Sequence, residues 1–99
     1  MTDKVKTEIE KLIKKLKLNC SIEQFKDKVS WWDISYSQKL SEDFIKEFRN
    51  KVDWFYISKY QKLSEDFIRE FQNKVSWLRI FAHQELSKDF RKEFKDKVS

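Results

Sequence analysis

The stretch Leu40-Ser41-Glu42-Asp43-Phe44-Ile45-Lys46-Glu47-Phe48 returns as Leu63-Ser64-Glu65-Asp66-Phe67-Ile68-Arg69-Glu70-Phe71. It returns again as Leu86-Ser87-Lys88-Asp89-Phe90-Arg91-Lys92-Glu93-Phe94, at a step of 23 residues each time. Trp31, Trp54 and Trp77 recur at the same step, each followed three residues later by Ile34, Ile57 and Ile80. Self-similarity at a fixed period of this size marks a repeat architecture, in which each unit buries its apolar face against its neighbours.

Local chemistry divides the unit into two short helices. Ser41, Ser64 and Ser87 are natural N-caps, with acids in the following turn to oppose the helix dipole. Leu40 and Ile45 stand where a hydrophobic staple needs them, and Phe44, Ile45, Phe48 and Val52 form an apolar stripe. These signals predict a first helix from Ser41 to about Lys51, with Glu47–Lys51 and Glu70–Lys74 as i,i+4 pairs. A second helix is predicted from Trp54 to about Gln61, capped by Ser30, Asp53 or Ser76 in successive copies. Trp54, Ile57 and Gln61 fall on one of its faces. Gln38, Gln61 and Gln84 recur at one position, where a buried amide is expected to bond loop backbone of a neighbouring unit.

One uninterrupted helix does not fit. At about 100° per residue, a 23-residue step rotates equivalent positions by about 140°, so the Trp and Phe sets would wind around the outside. Nor is 23 a multiple of a coiled-coil period. The expected fold is therefore all-α: short αα-hairpin repeats stacked as a small solenoid or bundle.

Outward from the repeats, residues 19–29 read as a degenerate first copy, in which Phe25 matches Phe48 and Lys28-Val29 matches Lys51-Val52. Residues 2–17 carry Val5, Ile9, Leu12, Ile13 and Leu16 at helical spacing, behind Thr2 or Asp3 as a cap. The expected organisation is an N-terminal amphipathic capping helix over 1–18 and three and a half repeats over 19–99, one domain overall. The last first-type helix is expected to serve as a C-terminal cap, its added charges facing outward.

The 99 residues are 39% hydrophobic, 16% aromatic and 39% charged, with no Gly and no Pro. That composition favours helices and excludes Gly-rich phosphate loops. The net charge of +5 is interleaved with acids, so no single strong field is expected. Cys20 has no second cysteine to pair with, which suits a reducing, cytoplasmic setting. Met1-Thr2-Asp3-Lys4 is not a secretory signal, and no apolar run reaches membrane-spanning length.

Enzyme chemistry finds little support. His83 is the only histidine, no His/Cys/Asp cluster has metal-ligand spacing, and no catalytic triad can be assembled. No cofactor is expected. The positions that vary most between copies are Asp33, Tyr36 and Ser37, then Tyr56, Lys59 and Tyr60, then Arg79, Ala82 and His83. Within each helix they stand at i, i+3 and i+4. Repeat proteins hold their framework and vary their binding face, and Tyr and Arg are enriched at interface hot spots. Asp33, Tyr36, Ser37, Tyr56, Lys59, Tyr60, Arg79 and His83 are therefore the candidate partner-binding residues.

The pattern W-x-x-I-S-x-x-Q-K-L-S-E-D-F-I-x-E-F-x-N-K-V is carried by Trp54, Ile57, Ser58, Gln61 through Ile68, Glu70, Phe71 and Asn73 through Val75. It resembles short tandem repeats in proteins of bacteriophages and large DNA viruses. The resemblance spans residues 19–99, and the third copy departs from it with Phe81 in place of Ser. It implies a repeat architecture and a viral setting, and no reaction. The expected function is a non-catalytic protein-interaction module that binds a host protein. Its sharpest form is a phage or viral inhibitor of a host defence protein such as a CRISPR effector. The alternative is a nucleic-acid-binding repeat protein that uses Lys, Arg and aromatic residues.

Overall fold

Thr2 opens the first helix: its Oγ1 accepts the Val5 N–H at 3.2 Å, and helix α1 runs Asp3–Lys15. In this computed structural model, which describes residues 1–98, α1 ends in a paired backbone motif. Leu18 N–H donates to the Ile13 carbonyl at 2.9 Å and Lys17 N–H to the Lys14 carbonyl at 3.3 Å. The motif requires a left-handed residue, usually Gly. Here Lys17 takes it, at φ 55°. Val5, Ile9 and Leu12 are buried beneath the helix.

The remaining helices are short. They are α2 (Phe25–Lys28), α3 (Trp31–Ser37), α4 (Glu42–Glu47), α5 (Trp54–Tyr60), α6 (Glu65–Glu70), α7 (Trp77–His83) and α8 (Lys88–Glu93), followed by a 3₁₀ turn over Lys95–Lys97. The fold is all-α, and no strand occurs among the described residues. Helix α3 packs on α5 and α5 on α7, while α1 packs on α4. Three helices of one type thus form a row 23 residues apart, and the array extends over 45 × 23 × 19 Å.

Aromatic rings join the two helix types. Trp31 lies over Phe48 with centroids 5.0 Å apart, Trp54 over Phe71 at 5.4 Å and Trp77 over Phe94 at 4.7 Å. Each of these indoles donates its N–H to a carbonyl five residues earlier, those of Lys26, Arg49 and Gln72, at 2.9–3.0 Å. Phe44, Phe90, Ile34, Ile45, Ile57, Ile68 and Ile80 are sealed from solvent. Leu40 and Ile45 are both buried, as the staple requires.

Three polar contacts recur at the repeat step. Gln61 Nε2 donates to the Ser35 and Gln38 carbonyls at 2.9 and 2.6 Å, and its Oε1 accepts the Leu40 N–H at 2.9 Å. Gln84 repeats this set with Ser58, Gln61 and Leu63. Ser35 and Ser58, fully buried, accept the N–H of Asp53 and Ser76 at the start of the next helix in the row. Finally, Glu42 accepts both the N–H and the hydroxyl of Ser64, and Glu65 those of Ser87. For Ser41 the acceptor is Glu8 of α1. The N-terminal helix thereby occupies the place of a preceding repeat.

Several local expectations need correction. The first-type helix stops at Glu47 and Glu70 rather than near Lys51 and Lys74, and closes through a tight turn in which Lys51 N–H and Val52 N–H both donate to the Phe48 carbonyl. Lys51 is therefore off the helical surface and cannot pair with Glu47. Glu47 meets the N-terminal ammonium at 3.9 Å instead, Lys46 pairs with Glu70 of the next repeat at 3.0 Å, and Arg69 pairs with Glu93 of the next repeat at 2.9 Å and with Asp66 of its own helix at 3.6 Å. Of the three proposed second-type caps, only Asp53 bonds through its side chain, to Phe55 and Tyr56 N–H; Ser30 and Ser76 do not. Gln38, in the first copy, reaches no preceding unit and donates only to Ser37 Oγ at 3.3 Å.

Candidate interaction surface

Each helix of the row begins with the tryptophan that covers the Phe pair of the following helix. The next residue along lies about 100° around the helix and so cannot also face that pair. In all three copies it is large and apolar: Trp32, Phe55 and Leu78, which are 56%, 42% and 65% exposed. This set was not among the expected site residues. Its signal was an apolar residue kept at a position that the core stripe does not include.

The tyrosines gather beside it. Tyr36 stands 5.5 Å from Tyr56 and 5.9 Å from Tyr60, and Tyr56 stands 6.0 Å from Tyr60. Trp32 stacks on Tyr36 at 5.8 Å with the rings 10° from parallel, and Phe55 meets Tyr56 edge-on at 5.3 Å. The result is a continuous aromatic surface across α3 and α5, drawn from two successive copies. Tyr36 and Tyr60 expose 42% and 50% of their surface, far more than the buried Phe set.

Charge rims this surface. The Arg79 guanidinium sits 4.7 Å above the Phe55 ring, joining α7 to the cluster. Its Nε is closed off from solvent and has no hydrogen-bond partner among the described residues. Lys59 Nζ lies 5.1 Å from the Tyr60 ring. His83 is exposed and lines a cleft of about 380 Å³ with Lys59, Tyr60, Lys62 and Glu85. Of the expected residues, Asp33 and Ser37 do not join the cluster: Ser37 accepts from Gln38, and Asp33 makes no ion pair or hydrogen bond among the described residues.

The opposite helix type carries its charges differently. The hydrogen bond from Lys46 to Glu70 raises the lysine above its ordinary pKa, and that from Arg69 to Glu93 does the same for the arginine. Those cations are committed to the repeat interfaces. Cys20 is a free thiol, half-buried. No group of His, Cys, Asp and Glu suited to hold a metal ion occurs among the described residues, and no described helix is long and apolar enough to cross a membrane.

No family model, curated protein or solved structure matches this chain.

Proposed function

We propose that this chain is a non-catalytic protein-binding module, and that its contact surface is the aromatic face built by α3, α5 and α7. One observation carries the reading: Trp32, Tyr36, Phe55, Tyr60 and Leu78 are exposed together on a row of helices whose own cores are already filled. Exposed aromatic residues in a contiguous patch, rimmed by polar groups, mark interaction sites. The helices beneath are fixed to each other by Gln61, Gln84, Ser35 and Ser58, so the rings are displayed on a rigid base and little order has to be gained on binding.

The narrower proposal is a cytoplasmic phage or viral factor that binds and inhibits a host protein, for instance a CRISPR effector. It rests on the repeat resemblance of residues 19–99. The experiment is an affinity capture from nuclease-treated bacterial lysate, comparing the wild type with a Trp32→Ala/Tyr60→Ala variant. A discrete protein held by the wild type and released by the variant supports the module and identifies its target. Equal retention by both places binding elsewhere on the molecule, and recovery that vanishes with nuclease favours nucleic acid.

A further inference from the structure

A second surface, sharing no residue with the aromatic face, lies where α1 crosses segment 38–41. Two adjoining grooves, of about 510 and 200 Å³, are lined there by Lys4, Lys11, Lys15 and Lys39 together with Glu8. None of the four lysines is ion-paired among the described residues. The single carboxylate in the groove has both oxygens engaged by Ser41, one on its N–H and one on its hydroxyl. Four lysines against one such carboxylate leave a net three positive charges in one concavity, out of +5 for the whole chain. Elsewhere Lys46 and Arg69 are neutralised by carboxylates of the next repeat.

We infer that this groove binds the phosphate backbone of a nucleic-acid strand. At 1.5 Å per residue, Lys4 to Lys15 covers about 16 Å, room for several successive phosphates of one strand. Unpaired ammonium groups along a concave track neutralise phosphates and release their counterions, without reading bases. A membrane surface fits less well. Interfacial helices bury their apolar face in lipid, whereas Val5, Ile9 and Leu12 of α1 are already buried in the protein. A bilayer is also flat, and the lysines line a hollow.

The test measures binding of a fluorescein-labelled single-stranded 20-mer by anisotropy across a salt series. Four lysine–phosphate contacts predict a slope of log K against log salt near −2.8, about a 50-fold loss between 50 and 200 mM. Lys11→Gln/Lys15→Gln/Lys39→Gln removes three contacts and should flatten the slope to about −0.7. Lys88→Gln/Lys92→Gln/Lys95→Gln removes the same charge from exposed positions of α8 and the 3₁₀ turn after it, outside both surfaces, and should leave the slope within about half a unit. Circular dichroism checks that both variants fold. Equal losses in the two variants would mean that net charge alone attracts the strand, and the groove assignment fails. It also fails if the wild type does not bind at 50 mM salt, or if vesicles rich in phosphatidylserine bind more tightly than the oligonucleotide. A loss produced by Trp32→Ala/Tyr60→Ala but not by the groove variant would move the strand to the aromatic face.

Discussion

The Glu8 carboxylate reaches across 33 residues of chain to accept both the N–H and the hydroxyl of Ser41. Glu42 does this for Ser64 and Glu65 for Ser87, each across 22 residues. Ser41 in turn accepts the Phe44 N–H, so one carboxylate fixes the cap that starts α4. Glu8→Ala should leave those two donors without their acceptor in a partly buried site, costing about 1–2 kcal/mol in urea denaturation. Ser41→Ala alone also removes the cap, costing about 1 kcal/mol. Because the two act on one contact, the double variant should lose clearly less than the sum. Additive losses would show that Glu8 and Ser41 are not coupled.

The glutamine position separates the copies more sharply. Gln61→Ala strands the Ser35 and Gln38 carbonyls and the Leu40 N–H in a buried seam, and should cost about 2–4 kcal/mol. Gln38→Ala, at the equivalent position of the first copy, touches only Ser37 and should stay within about 0.5 kcal/mol of wild type. Thermal melts of the two variants decide the matter. Comparable losses would contradict the inter-repeat role of the amide.

Two tryptophans from different positions of the repeat should behave in opposite ways. Trp54 packs on Phe67 and Phe71 and donates to the Arg49 carbonyl, so Trp54→Ala should cost about 3 kcal/mol of stability. Trp32 is exposed, and Trp32→Ala should change stability by less than about 0.5 kcal/mol. Under the proposed function, its effect should appear in partner binding. A destabilisation above about 1.5 kcal/mol for Trp32→Ala would make that ring part of the framework.

Much of this was legible in the repeat itself. The period, the caps at Ser41, Ser64 and Ser87, the burial of Leu40 and Ile45 and the buried amides of Gln61 and Gln84 all have local or periodic signatures, and the structure shows each of them. Glu42 and Glu65 were harder to read. An acid in a first helical turn is already explained by the dipole, which hid the bond to a serine 22 residues on. Trp32, Phe55 and Leu78 escaped because they are all apolar, and a search for varying positions passes over a position whose character is constant. The early end of α4 was hidden as well: Glu47 to Lys51 has sound i,i+4 chemistry, and only the packing of Phe48 and Val52 around a tight turn overrides it.

Lys17 offers a stabilising change. It holds a left-handed φ of 55° in the motif that ends α1, a conformation that strains a residue with a Cβ by about 1–2 kcal/mol. Lys17→Gly should therefore raise stability by about 0.5–1 kcal/mol, after the greater freedom glycine brings to the unfolded chain is taken into account. The denaturation midpoint should rise with the unfolding slope unchanged. A lower midpoint would mean that the lysine side chain makes a compensating contact.

The last prediction concerns which interfaces can accept another repeat. Three side chains face the following unit or its loops: the serine at 35 and 58, the glutamate at 42 and 65, and the cation at 46 and 69. In the third copy the first two are replaced, by Phe81 and Lys88. Phe81 lies instead against Trp77 and beneath the Arg91 guanidinium. A duplicate of residues 53–75 inserted after Val75 meets Ser58 and Glu65 above it and supplies the same pair below. It should raise both the denaturation midpoint and the unfolding slope, since stability in such arrays adds by unit and interface. The same duplicate joined after Val98 meets a phenylalanine where an N–H needs an acceptor and an ammonium where a serine needs a carboxylate. It should add little until Phe81→Ser and Lys88→Glu are introduced with it. Equal gains from the two placements would show that the aromatic stacking alone, and not these polar contacts, joins one repeat to the next.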